Sequence, residues 1–245
     1  MHAKEIIRNA VARVDQLRQT AAATLGLASA VTEIKEFQAR RFTGTYFDLL
    51  QTQQYKAATL FFLEELYSEK DYSDRDAQFS RIAGTLERLF PTQVVQTAVA
   101  LAQLHSLTED LDLAMAQCWL TNKDPNPVTR YITAWRTVGR RADRNTQLTG
   151  ALSVGQELVV LTRTPGLRMA LKLMRRPASL AGMAALQHFL ESGFDTFAAM
   201  GNKSDGTDFF LSTVKKRESA LIDTLFDADT PSCEAEIAQI LQKMA

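Results

Sequence analysis

The stretch from residue 92 to residue 120 constrains the fold more than any other, because apolar side chains recur along it every three or four residues. This spacing predicts one long amphipathic helix, whose apolar stripe must be buried against other helices. Similar stripes follow one another along most of the chain, and only 11 Gly and 6 Pro interrupt them. We therefore predict an all-α fold, a multi-helix bundle of about ten or eleven helices without a sheet. The stripe of the long helix consists of Val94, Ala98, Leu101, Leu104, Thr108, Leu111, Met115 and Cys118.

One loop stands out between the predicted helices. The segment TNKDPNP at 121–127 combines two prolines with three other turn-forming residues. We expect a single helical domain over 1–245, and this loop is the place where it would divide into two parts.

The overall charge and hydropathy give little sign of nucleic acid or of a membrane. The formal net charge is zero, so no global field attracts either partner. No helix-turn-helix or other nucleic-acid module is recognisable. No uncharged apolar run approaches the length of about 18 residues that suggests a transmembrane helix, and the amphipathic N-terminus lacks the apolar core of a signal peptide. We expect a cytoplasmic protein without a transmembrane segment.

The least generic stretch is QYKAATLFFLEELYSEKDYSDRD, at residues 54–76. Its apolar run up to Phe61 and Phe62 predicts a buried helix. Ser73 and Asp76 then have the spacing of a capping box, which predicts the start of the next helix. Acidic residues cluster between these points, and we expect them either to pair with the basic segment further along the chain or to form a docking surface. The turn lacks the ligand order of a calcium-binding EF-hand.

Two polar pairs have the spacing of metal ligands on helices. His105 and Glu109 lie four residues apart and His188 and Glu191 lie three apart, so each pair shares one face of a helix. If the two helices were neighbours, these four side chains could hold a metal ion, with Glu65 or the acid before it as a fifth ligand. The alternative is that the acids lie on solvated faces and each His is hydrogen-bonded at the edge of the core. Haem ligation by His105 or His188 is a further alternative, and no cofactor is predicted.

Basic residues concentrate in 121–180, which has 11 Lys or Arg against 3 Asp or Glu, whereas 61–120 has 4 against 10. The short helix predicted at 166–176 is both amphipathic and basic. Such a surface can bind phosphates, anionic lipid headgroups or an acidic partner helix. The simpler alternative is that the basic and acidic segments pair within the fold. The candidate anion-binding residues are Arg168, Lys172, Arg175 and Arg176 on this helix and Arg136 and Arg140 before it.

Three stretches resemble a known family. They are FFLEELYSEKDYSDRD, LAQLHSLTEDLD and LMRRPASLAGMAALQHFLESGFDTFAAM, which are similar to parts of a family of uncharacterised bacterial proteins of about this length. The resemblance extends from about Phe37 to Phe226. It implies that the three stretches share either a site or a core, and it implies no activity.

These observations favour a soluble helical protein that works by binding, as an adaptor or a regulator, through a partner protein or a second copy of itself. The motifs GxGxxG, GxxxxGK[ST], GxSxG and HExxH are absent from the sequence, so an enzyme is not the first expectation. Two alternatives remain. One is a metal- or haem-dependent enzyme with a site between helices around His105 and His188. The other is a peripheral contact with anionic membrane or phosphate groups through 166–176.

Overall fold

The computed structural model describes the backbone of residues 2–65, 72–201 and 206–243, and the side chains of all of these except residues 65, 86–89 and 201. Over these ranges the chain forms twelve α-helices and no strand, and eleven of the helices have seven residues or more. The all-α prediction is confirmed. Among the described residues, no helix combines enough length with enough apolar character to span a bilayer. The helices are α1 (Ala3–Ala23), α2 (Leu27–Thr45), α3 (Phe47–Leu50), α4 (Lys56–Glu65), α5 (Ser73–Leu89), α6 (Thr92–Thr121), α7 (Pro127–Val138), α8 (Arg141–Thr162), α9 (Leu167–Leu180), α10 (Ala184–Gly201), α11 (Gly206–Asp227) and α12 (Thr230–Gln242).

The longest helix, α6, packs against α1, α2, α5, α7 and α8. Its predicted apolar stripe lies in the interior, where Leu111 and Met115 are fully buried and Leu101 and Leu104 line a cavity. Full burial of one such side chain contributes about 1.5–3 kcal/mol to stability. The stripe therefore places α6 at the centre of the bundle.

The buried apolar side chains form three clusters. The first contains Phe37, Tyr131 and Trp135, and the rings of Phe37 and Tyr131 stack with 4.4 Å between their centres. The second contains Phe61 and Phe62 of α4 and joins α4 to α10 and α11. The third lies between α1, α5 and α6. The doublet at the end of the predicted apolar run is thus part of the core.

The loop predicted at 121–127 lies between α6 and α7. The side-chain oxygens of Asn122, Asp124 and Asn126 each accept a hydrogen bond from the backbone N–H two residues ahead. The last of these bonds caps the start of α7. The first cluster contains side chains of α6, α7, α11 and α12, so helices before and after the loop share one core.

The apolar spacing predicts one helix over about 29–51. The structure divides it, because the backbone leaves the helical region at Tyr46, with φ −111° and ψ 21°. The Tyr46 side chain is fully buried, and its hydroxyl donates a hydrogen bond to Glu218 of α11. A glycine inside a predicted helix indicates either a bend or a close contact. Gly44 makes the close contact: a Cβ here would overlap the backbone carbonyl oxygen of Ile240. Burial of the Tyr46 ring and the close approach of the Ile240 backbone therefore divide the helix that the apolar spacing alone predicts.

Proline favours the first turn of a helix, so the sequence predicts a helix that begins at Pro177, and this prediction is wrong. Pro177 lies inside α9, which continues to Leu180. The turn comes instead at Gly182, whose φ of 66° favours glycine. A proline removes one helical hydrogen bond, whereas the next residue, Ala178, is buried against the rest of the protein. That packing keeps the helix intact through the proline.

Candidate functional site

A cavity of about 180 Å³ lies between α5, α6, α8, α9 and α10. Its lining is mostly apolar and includes Leu101 and Leu104 of α6, Leu158 of α8, Leu171 of α9 and Leu190 of α10. A dry apolar cavity of about 150 Å³ holds a benzene-sized molecule. This cavity therefore has room for a ring or a short chain.

The polarity of the lining changes along α6. From Val94 to Leu104 the lining side chains are apolar except Thr97, whose hydroxyl donates to the backbone carbonyl of Gln93. The lining side chains that follow are all polar, and their spacings of three and four put them on one face of the helix. The cavity thus has an apolar body and a polar end. The polar row consists of His105, Thr108, Glu109 and Asp112.

Asp76 of α5 joins His105 to Arg18. Its Oδ2 accepts a hydrogen bond from Nη2 of Arg18 at 2.7 Å and lies 3.0 Å from Nε2 of His105. Burial opposes the ionisation of Asp76, but the hydrogen bonds and charges of His105 and Arg18 outweigh it and hold the pKa of Asp76 below its ordinary value. Because the carboxylate is ionised at neutral pH and can only accept, Nε2 of His105 carries the hydrogen of their bond.

The two acids further along the row are partnered by α2. Nζ of Lys35 donates to Oε1 of Glu109 at 2.6 Å, and Nε2 of Gln38 donates to Oδ1 of Asp112 at 2.9 Å. Burial raises the pKa of Asp112, although the charge of Lys35 opposes this shift. Asp76 and Asp112 therefore have pKa values shifted in opposite directions beside the same cavity.

Helix α8 completes the row with an uncharged pair. Nε2 of Gln147 donates to Oγ1 of Thr108 at 2.9 Å, and Nη1 of Arg144 donates to Oε1 of Gln147 at 3.3 Å. The guanidinium of Arg144 lies over the ring of Trp135, 4.0 Å from its centre. Each polar side chain of the α6 row thus has a partner on α2, α5 or α8.

Tyr72, just before α5, and Arg75, in the first turn of α5, place two further side chains at the polar end. The hydroxyl of Tyr72 donates to the backbone carbonyl of Glu64 at 2.5 Å, and its ring meets that of His105 edge-on. The guanidinium of Arg75 lies 4.0 Å from the centre of the Tyr72 ring and 4.8 Å from that of Phe189. The most distinctive stretch of the sequence therefore contributes three residues, Tyr72, Arg75 and Asp76, to the lining of the cavity.

Most of the chain falls within one family. A family model described as a domain of unknown function, DUF8198, matches residues 16–232. The chain belongs to the DUF8198 family. The match includes the three stretches by which the sequence resembles an uncharacterised family, and all three contribute to the lining of the cavity. No curated protein and no solved structure matches the chain.

The DUF8198 fold separates the residues proposed as metal ligands. His105 and Glu109 line the cavity, whereas His188 is exposed and lies outside the lining. Glu191 accepts hydrogen bonds at 2.7 Å from a guanidinium on α9. The side chain of Glu65 lies outside the described residues. Within the described part of the chain, no group of three or more His, Cys, Asp or Glu side chains is arranged to hold a metal ion.

Four of the six candidate anion-binding side chains already have partners in the DUF8198 fold, and these are Arg136, Arg140, Arg168 and Arg175. In chain order, the first donates to backbone carbonyls at the end of α11 and just after it, the second pairs with aspartates of α6 and α8, and the last two pair with acids of α10. Pairing between basic and acidic segments is confirmed for the last three. Lys172 and Arg176 are exposed on α9.

Sequence reasoning missed the partners of the polar row. Asp76 was predicted as part of a helix start and of the acidic cluster, but not as the partner of His105, to which its carboxylate is hydrogen-bonded. Lys35 and Gln38 of α2 were not singled out. Both stand beside core positions of a buried helix face, and Gln38 is itself buried, four residues after Ile34. A long polar side chain in such a position needs a hydrogen-bond partner, and that requirement was the available signal.

Proposed function

We propose that this DUF8198 protein binds a small, mostly apolar molecule that carries one uncharged hydrogen-bonding group. The observation that carries the proposal is the cavity, whose apolar body ends in a row of paired polar side chains. Removing apolar surface from water contributes about 25 cal/mol per Å², so the body of the ligand provides the driving force. The polar end then fixes its orientation, as in most small-molecule sites.

The balance of charge at the polar end favours an uncharged group. Lys35 compensates Glu109, and Arg18 and Arg75 compensate Asp76, which is also hydrogen-bonded to His105. A ligand carboxylate would add a further negative charge beside these acids. A ligand ammonium would have to displace one of the cations. Because a buried ion without its own partner is strongly unfavourable, a hydroxyl, carbonyl or amide fits this end better.

A series of 1-alkanols tests the proposal on the full chain. Calorimetric titration should give a Kd that falls about fourfold with each added CH2, since burying one CH2 contributes about 0.8 kcal/mol. The gain should stop when the chain fills the cavity. At equal length, the alkanoate and the alkylammonium should bind about tenfold more weakly, or worse. A Kd that is independent of chain length, or equal for the three head groups, contradicts the proposal.

Substitutions that fill the cavity locate the binding site. Leu104→Trp and Leu171→Trp reduce the space from α6 and from α9. Leu25→Trp is the matched control, because Leu25 is 97% exposed and lies outside the lining. Both filling variants should weaken alkanol binding about tenfold or more, while the control binds as the wild type does. Circular dichroism and thermal unfolding verify folding. Folded filling variants with unchanged affinity would place the ligand elsewhere and overturn the proposal.

A further inference from the structure

Helix α9 forms one wall of the cavity and is apolar on two opposite sides. Leu171 and Met174 line the cavity. Met169, Leu173 and Leu180 are 61%, 70% and 90% exposed. Their spacings of four and seven put these three side chains in one row along the outer side of the helix. A helix that is buried on one side usually presents polar side chains on the other. We therefore expect this exposed apolar row to contact a binding partner.

Positive charge accompanies the outer row. Lys172 and Arg176 are exposed, and Arg176 falls within the row itself. Arg168 and Arg175 lie toward α10, where they pair with its acids. The chain contains no Asp or Glu from residue 158 to residue 190. The outer side of α9 therefore combines exposed apolar side chains with cations that no acid of its own segment compensates.

We propose that the outer side of α9 binds an anionic lipid surface and that the cavity receives its ligand from that surface. Helices with leucines beside Lys or Arg lie in the plane of the headgroups, where both apolar burial and attraction to anionic lipid contribute to binding. The first half of the proposal stands on α9 alone, and the second half rests on the proposed function of the cavity. Since α9 separates the cavity from the outer row, a molecule dissolved in the lipid would need to pass only this helix.

Other binding partners would satisfy either the cations or the apolar side chains of the outer row, but not both. A nucleic acid would satisfy the cations but would leave Leu173 and Leu180 without an apolar partner. A second copy of the chain, related by a twofold axis, would bring Lys172 and Arg176 close to the same residues of its partner, and like charges in contact oppose association. An anionic lipid surface satisfies both the charge and the apolar groups.

Co-sedimentation of the full chain with vesicles tests the contact. The chain should bind vesicles of phosphatidylcholine with phosphatidylglycerol at low salt, bind pure phosphatidylcholine weakly, and be released by salt, because exposed charges are screened beyond about 10 Å at 0.1 M. Lys172→Gln with Arg176→Gln should weaken binding about 25-fold, since one cation near an anionic surface contributes about fivefold. The matched control, Lys215→Gln with Lys216→Gln on exposed positions of α11, should change binding by less than about twofold.

A second pair of variants tests the apolar part of the row. Leu173→Ser should weaken binding to anionic vesicles about tenfold, whereas Leu25→Ser, at a strongly exposed leucine outside α9, should leave it unchanged. Absence of binding at low salt, or equal losses in the α9 variants and their controls, overturns the proposal. So does sedimentation equilibrium that shows a dimer abolished by Leu173→Ser, because the row is then a contact between copies.

Transfer of a fluorescent alcohol separates this inference from the proposed function. Uptake of naphthalenemethanol from anionic vesicles, followed by stopped flow, should slow by about the loss in vesicle binding in the Lys172 and Arg176 variant, while uptake from water stays the same. Leu104→Trp should bind vesicles normally and take up little alcohol from either source. A chain that binds alcohols but not vesicles overturns this inference alone. A chain that binds vesicles but not alcohols overturns the proposed function and the ligand transfer that rests on it.

Discussion

Asp76 and Asp112 are both 3% exposed, yet replacing each with asparagine should change the free energy of unfolding in opposite directions. Arg18 and His105 hold Asp76 in its ionised form, so Asp76→Asn removes a charge that the fold stabilises. Burial disfavours the ionised form of Asp112, so Asp112→Asn removes a charge that the fold does not stabilise. The new side chain keeps the oxygen that accepts from Gln38. The two acids therefore provide a direct comparison within one site.

The size of each effect follows from the hydrogen bonds. Asp76→Asn turns two charge-assisted bonds, at 2.7 and 3.0 Å, into bonds to a neutral acceptor. A bond to a charged group contributes about 1.5–3 kcal/mol and a neutral one about 0.5–1.5 kcal/mol. Allowing for the partial exposure of the two donors, we expect a loss of about 2 kcal/mol at pH 7, and a fall in Tm of about 4–8 °C for a chain of this length. Asp112→Asn should raise the free energy of unfolding and Tm, the opposite of the change at Asp76.

Both differences should disappear in acid. The pKa of Asp76 is lowered in the fold, so its contribution is complete above the unfolded-state value of about 3.9 and is lost as the pH falls through the lower folded value. The deficit of Asp76→Asn should therefore persist from pH 7 to about pH 5 and shrink below about pH 4. The pKa of Asp112 is raised, so its unfavourable ionisation is present above the folded value and absent below about pH 3.9. The advantage of Asp112→Asn should vanish there too.

Urea and thermal unfolding of the full chain, followed by circular dichroism from pH 3 to pH 7, measure both effects. Asp74→Asn is the matched control, because Asp74 is exposed in the same first turn of α5 as Asp76. It shares the interaction with the helix dipole, about 0.3–1 kcal/mol, but not the buried pair. Shifts of Asp76→Asn and Asp112→Asn in the same direction, or an Asp76→Asn effect no larger than that of Asp74→Asn, would refute the assigned electrostatics.

Two further pairs of substitutions test a close backbone contact and a buried charge pair. Gly44→Ala should lower the free energy of unfolding by about 2 kcal/mol, because the new Cβ overlaps the backbone of Ile240, whereas Gly150→Ala, which meets only an ordinary contact, should raise it by about 0.5–1 kcal/mol. Urea unfolding compares the two, and similar changes at both positions would contradict the close approach. Lys35→Met should lower stability by about 3 kcal/mol because it leaves Glu109 buried without its cation, and adding Glu109→Leu should restore most of the loss. A double-mutant cycle measures this coupling, and additive losses would contradict it.

Helical spacing accounts for most of what the sequence predicted correctly. The stripe over 92–120 predicts α6, which the structure places at Thr92–Thr121, because a spacing of three and four repeated over so many residues fits no other element. The errors lie where a local signal competes with packing. Tyr46 ends α2 through a buried ring, and Pro177 stays inside α9 because the residue after it is buried. Neither contact can be seen in the spacing.

The candidate site was only half predictable for the same reason. Spacing correctly put His105 and Glu109 on one face of a helix, and both line the cavity. The same kind of spacing put His188 and Glu191 on one face of α10, but it could not show which side of α10 packs inward. The pairing of Asp76 with His105 joins two helices, and such pairs arise from tertiary packing. A partner protein, self-association and a cytoplasmic location stay predictions from the sequence.

The polar row on α6 also determines where this helix sits along its own axis. Sliding α6 by one turn, about 5.4 Å, would exchange one apolar side chain of the stripe for another and change the apolar contacts only moderately. The same movement would separate all four side chains of the row from their partners on α2, α5 and α8 at once, at about 1–3 kcal/mol for each buried group left unpaired. The hydrogen bonds therefore select one axial position among several that the apolar stripe would accept, and the cavity keeps its shape because α6 cannot slide.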